Sequence, residues 1–296
     1  RDFCLSRGLG DVYKRQVVMK DGTPRYPEGL PQDWRWGWLK RAEGLVKAKP
    51  GKGRPVYRYM TAWPSATLQA QSWDTALVEE IGAAIGREML EIGVSVWLAP
   101  GLNIHRNPLC GRNFEYFAED PLLAGKTAGA MVRGIQKNGV SACPKHFACN
   151  NQETLRSKND SRLSQRALRE IYLKGFEIAI REAKPLCLMS SYNKVNGVWS
   201  HYHYELCTGI LREEWGYEGL VITDWWMQEG ASREFPHIKN DACRIRAQVD
   251  VLMPGEIKNR TLVPSLSAPG GVTRAEAQRS AVHVISFILK LKKGDQ

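Results

Sequence analysis

The chain has 296 residues, 43% of them hydrophobic, and a formal net charge of +11. That length supports a large buried core, as one barrel-sized domain or two ordinary ones, and no stretch approaches the ~20 apolar residues of a membrane span. The basic excess is dispersed; its densest cluster, Arg35 to Arg58, contains the loop-like run Lys49-Pro-Gly-Lys-Gly-Arg54-Pro and accompanies no nucleic-acid-binding motif, so nucleic acid is not expected as a partner.

Residues 1–16 read as neither a targeting segment nor an amphipathic element and are expected to be a non-native leader. The fold is therefore sought in residues 17–296. A short strand at Val17 to Met19 and the turn signal Asp21-Gly22 precede a loop-rich stretch reaching about Thr61. From there the pattern is regular. An amphipathic helix over about Asp74 to Ile92 leads to the apolar run Val94 to Ala99, which breaks at Pro100-Gly101. Asp120-Pro121 supplies an N-cap and a first-position proline for a helix running towards Asn138-Gly139, and Val140 to Phe147 follows as a strand.

A third helix opens near Ser164, with Ala167, Leu168, Ile171, Tyr172, Gly175, Phe176 and Ala179 on one face, and leads into a strand at Leu186 to Ser190. Then come a helix over Glu205 to Trp215, the strand beginning at Leu220, a weaker helical segment and the strand Val249 to Met253. A capping box of Thr273 and Glu276 opens a last helix reaching Leu291. Five strands alternating with helices predict a parallel sheet, since each parallel pair needs a crossover of a dozen or more residues. The expected architecture is a (β/α)8 barrel of the TIM type, incomplete at its N-terminus, with a doubly wound sheet as the alternative.

In either architecture the residues just beyond the strand ends converge on one pocket. Those positions carry Asn103, His105, Arg106 and Gly-Arg-Asn-Phe-Glu-Tyr-Phe after the first clear strand, and Lys145-His146-Phe147 with Asn-Asn-Gln-Glu-Thr-Leu-Arg156 after the second. The third delivers Ser190, Ser191, Tyr192 and Asn193, and the fourth Asp224, Trp225 and Trp226. This mixture suits a polyol: charged and amide groups bond hydroxyls, and an indole faces the C–H side of a sugar ring. Other readings compete at several positions. His105 and Arg106 either brace a loop or reach the site, and Lys145 and His146, being adjacent, would point to opposite faces of an ideal strand. Glu119 and Asp120 read as helix N-terminal charges, with Glu115 a further candidate for that role. His201 and His203 read as loop residues rather than a metal pair.

Several long motifs in one order now carry a resemblance. Gly-Leu-Asn-Ile-His-Arg-Asn-Pro-Leu-Cys-Gly-Arg-Asn-Phe-Glu-Tyr-Phe-Ala-Glu-Asp-Pro, then Lys-His-Phe, Asn-Asn-Gln-Glu-Thr, Met-Ser-Ser-Tyr-Asn and Val-Ile-Thr-Asp-Trp resemble the barrel domain of glycoside hydrolase family 3, the β-glucosidase group, over about Thr61 to Gly255. The resemblance implies a cofactor-free retaining hydrolase acting on terminal non-reducing β-linked glycosides. Asp224 matches the nucleophile, Arg112, Lys145, His146, Arg156 and Tyr192 match positions that hold the sugar, and Trp225 matches an aromatic beside the nucleophile. Asp21-Gly22-Thr23-Pro24 fits a hairpin turn better than the family's early Asp-Gly-Pro motif.

The resemblance implies that the acid/base Glu of the β-glucosidase branch comes from a following α/β sandwich domain of the same protein, expected to be absent from this sequence. The loop Ala148-Cys-Asn-Asn-Gln-Glu has none of the histidine that the hexosaminidase branch uses. The alternative is a sugar-binding barrel without turnover, and a phosphate-handling barrel would need more than Gly270-Gly271. Lys145 and Arg156 are expected to lower the pKa of Asp224. Seven scattered cysteines without a Cys-x-x-Cys pair favour a reducing, cytoplasmic compartment.

Overall fold

The structure is a computed structural model that describes residues 61–91, 93–225, 227, 244–253 and 262–292, together with backbone strands at 2–4, 13–18, 24–25 and 55–59. The chain divides into two compact units, residues 7–64 and the remainder. In the smaller unit, strands β2 (Tyr13–Val18), β3 (Pro24–Arg25) and β4 (Pro55–Tyr59) form an antiparallel sheet with β2 central. β2 and β3, which flank the Asp21-Gly22 turn signal, pair as adjacent antiparallel strands; residues 19–23 lie outside the described residues.

The larger unit is α/β. Its wall begins with β1 (Asp2–Cys4), from the segment set aside above as a leader, paired parallel with β5 (Val94–Trp97). β5 pairs in parallel with β6 (Ser141–Ala142). The chain beyond β6 reaches β8 (Cys187–Met189) through a bridge between Phe147 and Ser190. β8 pairs with β11 (Leu220–Trp225) and β11 with β12 (Val251–Met253), both in parallel. Neighbours in space are therefore neighbours in sequence, the singly wound order of a barrel wall rather than the reversing order of a doubly wound sheet. The described strands form an open arc in that order, and a closed ring of eight strands is not among the described residues. Val96, Leu98, Cys143, Cys187, Met189, Leu220, Ile222 and Met253 from this arc share one core with Phe287 and Leu291 of the last helix.

The helices form where local chemistry provides starts. Asp74 caps α2 (Thr75–Glu91), after the short α1 (Ala66–Gln71), by accepting from the amides of Ala76 and Leu77 at 2.9 and 3.0 Å. Asp120 caps α3 (Pro121–Gln136) through Leu123 N at 2.7 Å. α2 and α3 pack closely at Gly134, where a Cβ would stand 2.1 Å from the Glu79 carbonyl oxygen. Ser164 caps α4 (Gln165–Ala167), which continues through a π turn, Leu168–Tyr172, into α5 (Lys174–Ala183).

The π turn corrects the expected helical face. Its i to i+5 bond, Leu173 N to Leu168 O at 2.8 Å, inserts one residue, so Leu173 is buried and Ile171 is exposed. Glu205–Glu214 is likewise π-helical. After α6 (Leu262–Ser265), α7 (Arg274–Lys292) opens on a reciprocal capping box: Thr273 N donates to Glu276 Oε2 at 2.7 Å and Glu276 N to Thr273 Oγ1 at 3.2 Å.

A second small sheet was not anticipated. β7 (Asp160–Ser161), β9 (Lys194–Val195) and β10 (Val198–Trp199) lie beside the strand ends, and Asn196-Gly197 turns the β9–β10 hairpin with φ of 50° and 93°. That dipeptide is a strong hairpin signal, because both positions tolerate positive φ. Among the described residues no helix is long and apolar enough to cross a membrane.

Candidate active site

The site is assembled from the C-terminal ends of β5, β6, β8 and β11. Asp224 follows the buried run Leu220 to Thr223, and the strand carries it into a position only 7% exposed. Its Oδ1 accepts from the Trp225 amide at 2.7 Å, while Oδ2 has no hydrogen-bond partner among the described residues. His146 Nε2 lies 3.6 Å from that Oδ2, longer than a hydrogen bond.

Lys145 and His146 both reach this cluster. The alternation expected of a strand does not apply, because only Ser141–Ala142 is regular and the chain beyond it makes isolated bridges at Lys145 and Phe147. Asn103 grips the His146 peptide from both sides, its Oδ1 accepting from His146 N at 2.9 Å and its Nδ2 donating to His146 O at 3.0 Å.

Around Asp224 runs a chain of alternating charge. Lys145 Nζ lies 3.2 Å from Glu115 Oε2, Arg112 Nε bonds the other Glu115 oxygen, and Arg112 Nη1 comes within 3.9 Å of Glu153 Oε1. Glu153 Oε2 in turn accepts from Arg156 Nη1 at 2.9 Å, and the Arg156 guanidinium sits 4.3 Å over the Tyr192 ring. Tyr192 closes the circuit, its hydroxyl donating to the Trp225 carbonyl at 2.7 Å.

These contacts bring together Asp224, Arg112, Lys145, His146, Arg156 and Tyr192. Trp225 joins them through its backbone, while its half-buried indole packs against the core. Trp226 lies outside the described residues.

Burial decides the electrostatics. It raises the Asp224 carboxyl above the ordinary carboxylate value, outweighing Arg112, the Trp225 N–H, Arg156 and Lys145. Arg156 and Lys145 do act to lower this pKa, as expected, but burial outweighs them and the net shift is upward. Burial also raises Glu115, but Lys145 and Arg112 overcome it and hold that carboxyl low. His146 is pushed well below the usual imidazole range by burial and then by Arg112, Lys145 and Arg156, so it is neutral.

Other candidates serve as braces. His105 Nε2 lies 2.9 Å from the carbonyls of both Asn113 and Tyr116, which also accept from Thr67 Oγ1, and Arg106 is exposed. Ser191 and Asn193 hold the Ala148 carbonyl at 2.8 and 3.1 Å. His203 Nδ1 accepts from Leu206 N at 3.3 Å, and the His201 ring stacks near Tyr202 with centroids 4.4 Å apart. Among the described residues no group of three potential ligands could hold a metal. The sequence places Asn103 at a strand end and Tyr116 and Glu153 inside the strand-end motifs without giving them individual roles, and leaves Glu115 as a possible helix charge. The available signal was their position inside the same strand-end motifs.

Comparison with known proteins gives this geometry a lineage. Residues 46–287 match the model of the glycosyl hydrolase family 3 N-terminal domain. The chain belongs to glycosyl hydrolase family 3. It is 47% identical over 229 residues to a β-glucosidase of Ruminococcus albus, covering 76% of this chain and 24% of that protein. It is 40% identical over 288 residues to an exo-α-(1→6)-L-arabinopyranosidase of Bifidobacterium longum, covering 96% and 35%.

Among solved structures it resembles a β-glucosidase from Paenibacillus barengoltzii (TM-score 0.74, 47% identity, 78% of this chain and 26% of that one). It also resembles β-glucosidase 3B of Thermotoga neapolitana in complex with glucose (TM-score 0.72, 41% identity, 79% and 33%). The chain thus spans between 24% and 35% of the length of these relatives.

Proposed function

We propose that this chain is the sugar-holding, nucleophile-bearing part of a retaining β-glucosidase-type hydrolase. The observation that carries the reading is Asp224, a buried carboxylate at a strand end with one oxygen left without a partner and a ring of cations around it. The Asp224 carboxylate attacks the anomeric carbon of a terminal non-reducing β-D-glycosyl residue as the bond to the glycosidic oxygen breaks. A protonated carboxyl about 5 to 5.5 Å away gives its proton to the departing oxygen. Water, deprotonated by that same group, then releases the sugar from Asp224.

Arg112, Lys145, His146, Arg156 and Tyr192 bind and orient the sugar hydroxyls, and the open edge of Trp225 lies along its C–H face. Positive charge developing on the ring is met by the Asp224 carboxylate. The names of the relatives support glucosides and related pyranosides as substrates.

The acid/base carboxyl is proposed to be a Glu from a following α/β sandwich domain of the longer protein. Glu115 is unsuited to the role, because two cations keep it ionised. This favours a second reading for the chain as given, a barrel that binds sugar without turning over ordinary glycosides. A 2-fluoro-glucoside with a good leaving group needs no protonation and separates the two. Covalent labelling of Asp224, read by mass spectrometry of its peptide, is expected; a folded chain that takes no label would leave the binding reading.

A further inference from the structure

Tyr116 has no role in the reaction above, yet it is fully buried and its hydroxyl stands 3.1 Å from His146 Nδ1. A neutral imidazole carries one proton, so Nδ1 and Nε2 cannot both donate. We propose that Tyr116 is a positioning residue that donates to Nδ1 and thereby fixes His146 in the Nε2-protonated tautomer, making the nitrogen that faces Asp224 a hydrogen-bond donor.

The hydroxyl has one proton and two candidate acceptors, His146 Nδ1 at 3.1 Å and the Asn150 carbonyl at 3.3 Å. Asn150 Nδ2, which can only donate, approaches the same hydroxyl at 3.3 Å and takes one of its lone pairs. Nδ1 is the nearer of the two acceptors open to the hydroxyl proton. The other end of the ring agrees. With the proton on Nδ1, an Nε2 lone pair would face the unpartnered Oδ2 of Asp224 at 3.6 Å, and two acceptors would oppose each other in a buried site. The tyrosine ring is held in place from behind. Gly101 bridges Tyr116, and a Cβ on Gly101 would stand 2.7 Å from Cδ1 of the tyrosine ring, so that glycine is the seat in which the ring rests.

The consequence for chemistry rests on the sugar-binding reading of the site. A ring hydroxyl lying between His146 and Asp224 would accept from Nε2–H and donate to Oδ2, so Tyr116 sets the direction of that hydrogen-bond relay. The tautomer can be read without any substrate.

In the ¹⁵N spectrum of the full chain, with His146 assigned by its loss in His146→Gln, the expected pattern is a pyrrole-like Nε2 and a pyridine-like Nδ1. Tyr116→Phe, which keeps the ring, should mix the two tautomers and slow Asp224 labelling by the 2-fluoro-glucoside roughly tenfold, the worth of one well-placed hydrogen bond. Asp224→Asn should leave the Nε2–H pattern in place, which assigns it to Tyr116 even if Tyr116→Phe does not fold. An Nδ1–H pattern in the unmodified chain, a spectrum and labelling rate unchanged in Tyr116→Phe, or loss of the pattern in Asp224→Asn would each overturn the proposal. If the unmodified chain takes no label but shows the Nε2–H pattern, the hydrolase reading fails and the role of Tyr116 stands.

Discussion

Two aspartates at opposite ends of the same pair of strands are buried alike, Asp224 at 7% and Asp250 at 6% exposure, and they are treated in opposite ways. Asp250 sits at the entry to β12, where its amide bonds the Val221 carbonyl at 2.8 Å. Both of its carboxylate oxygens are occupied. Oδ2 accepts from Arg212 Nη2 at 2.9 Å and from the Val221 amide at 3.0 Å, and Oδ1 meets His283 Nδ1 at 2.8 Å. Arg212 further ties the carbonyls of Tyr217, Gly219 and Gln248 together. Asp224, at the exit of β11, keeps one oxygen without a partner. A buried charge whose every acceptor is filled from its own fold holds strands in register. One with an open acceptor costs stability and suits a ligand.

The largest expected effect is on chemistry alone. Asp224→Asn should lower covalent labelling on the order of a thousandfold or more, while its melting temperature at neutral pH stays level or rises. The sign follows from linkage. The folded pKa of Asp224 is raised, so the group favours the folded state below its unfolded pKa, and that contribution is lost as pH rises through the folded value. An amide, never ionised, escapes the loss. A marked drop in the melting temperature of Asp224→Asn would break the contrast with Asp250.

Next in size is the opposite pattern at the other end. Asp250→Ala leaves Arg212 buried and unpaired and should cost roughly 3–5 kcal/mol in denaturant titration. Any loss of labelling should then track the unfolded fraction.

Away from both clusters, Gly134→Ala forces a methyl against the Glu79 carbonyl and should cost roughly 1–3 kcal/mol by overpacking α2 on α3. Labelling per folded molecule should be unchanged. The smallest effect is on pH. The acid limb of Asp224 labelling should lie above the ordinary aspartate value, and Arg112→Met should move it higher still, since Arg112 is the strongest of the cations that lower it. A limb at or below the ordinary aspartate value in the unmodified chain would show that burial is not the dominant cause, and one that moves down in Arg112→Met would show that Arg112 does not lower it.

Much of this was legible in the linear sequence wherever one local interaction decided the outcome. Asp120, Ser164 and the Thr273–Glu276 box start helices within a turn of where their chemistry requires, because a cap needs only its own neighbours. The strand run into Asp224 is local in the same sense. The hairpin at Asn196-Gly197 is equally local, a two-residue turn in which both positions take positive φ. The π turn that exchanges Ile171 for Leu173 was not legible, because a helical periodicity contains no mark for one inserted residue.

What the sequence by itself determined is the set of strand-end motifs, the alternation of elements and the family to which they belong. Tertiary structure decided which carboxylates are spent on cations and which one is left open. Glu115 and Glu153 take Lys145, Arg112 and Arg156, while the burial of Asp224 outweighs the lowering by those same cations, so its pKa goes up rather than down. That sign is a difference between burial and charge, summed over residues from three separate strand ends, and no local pattern contains such a sum.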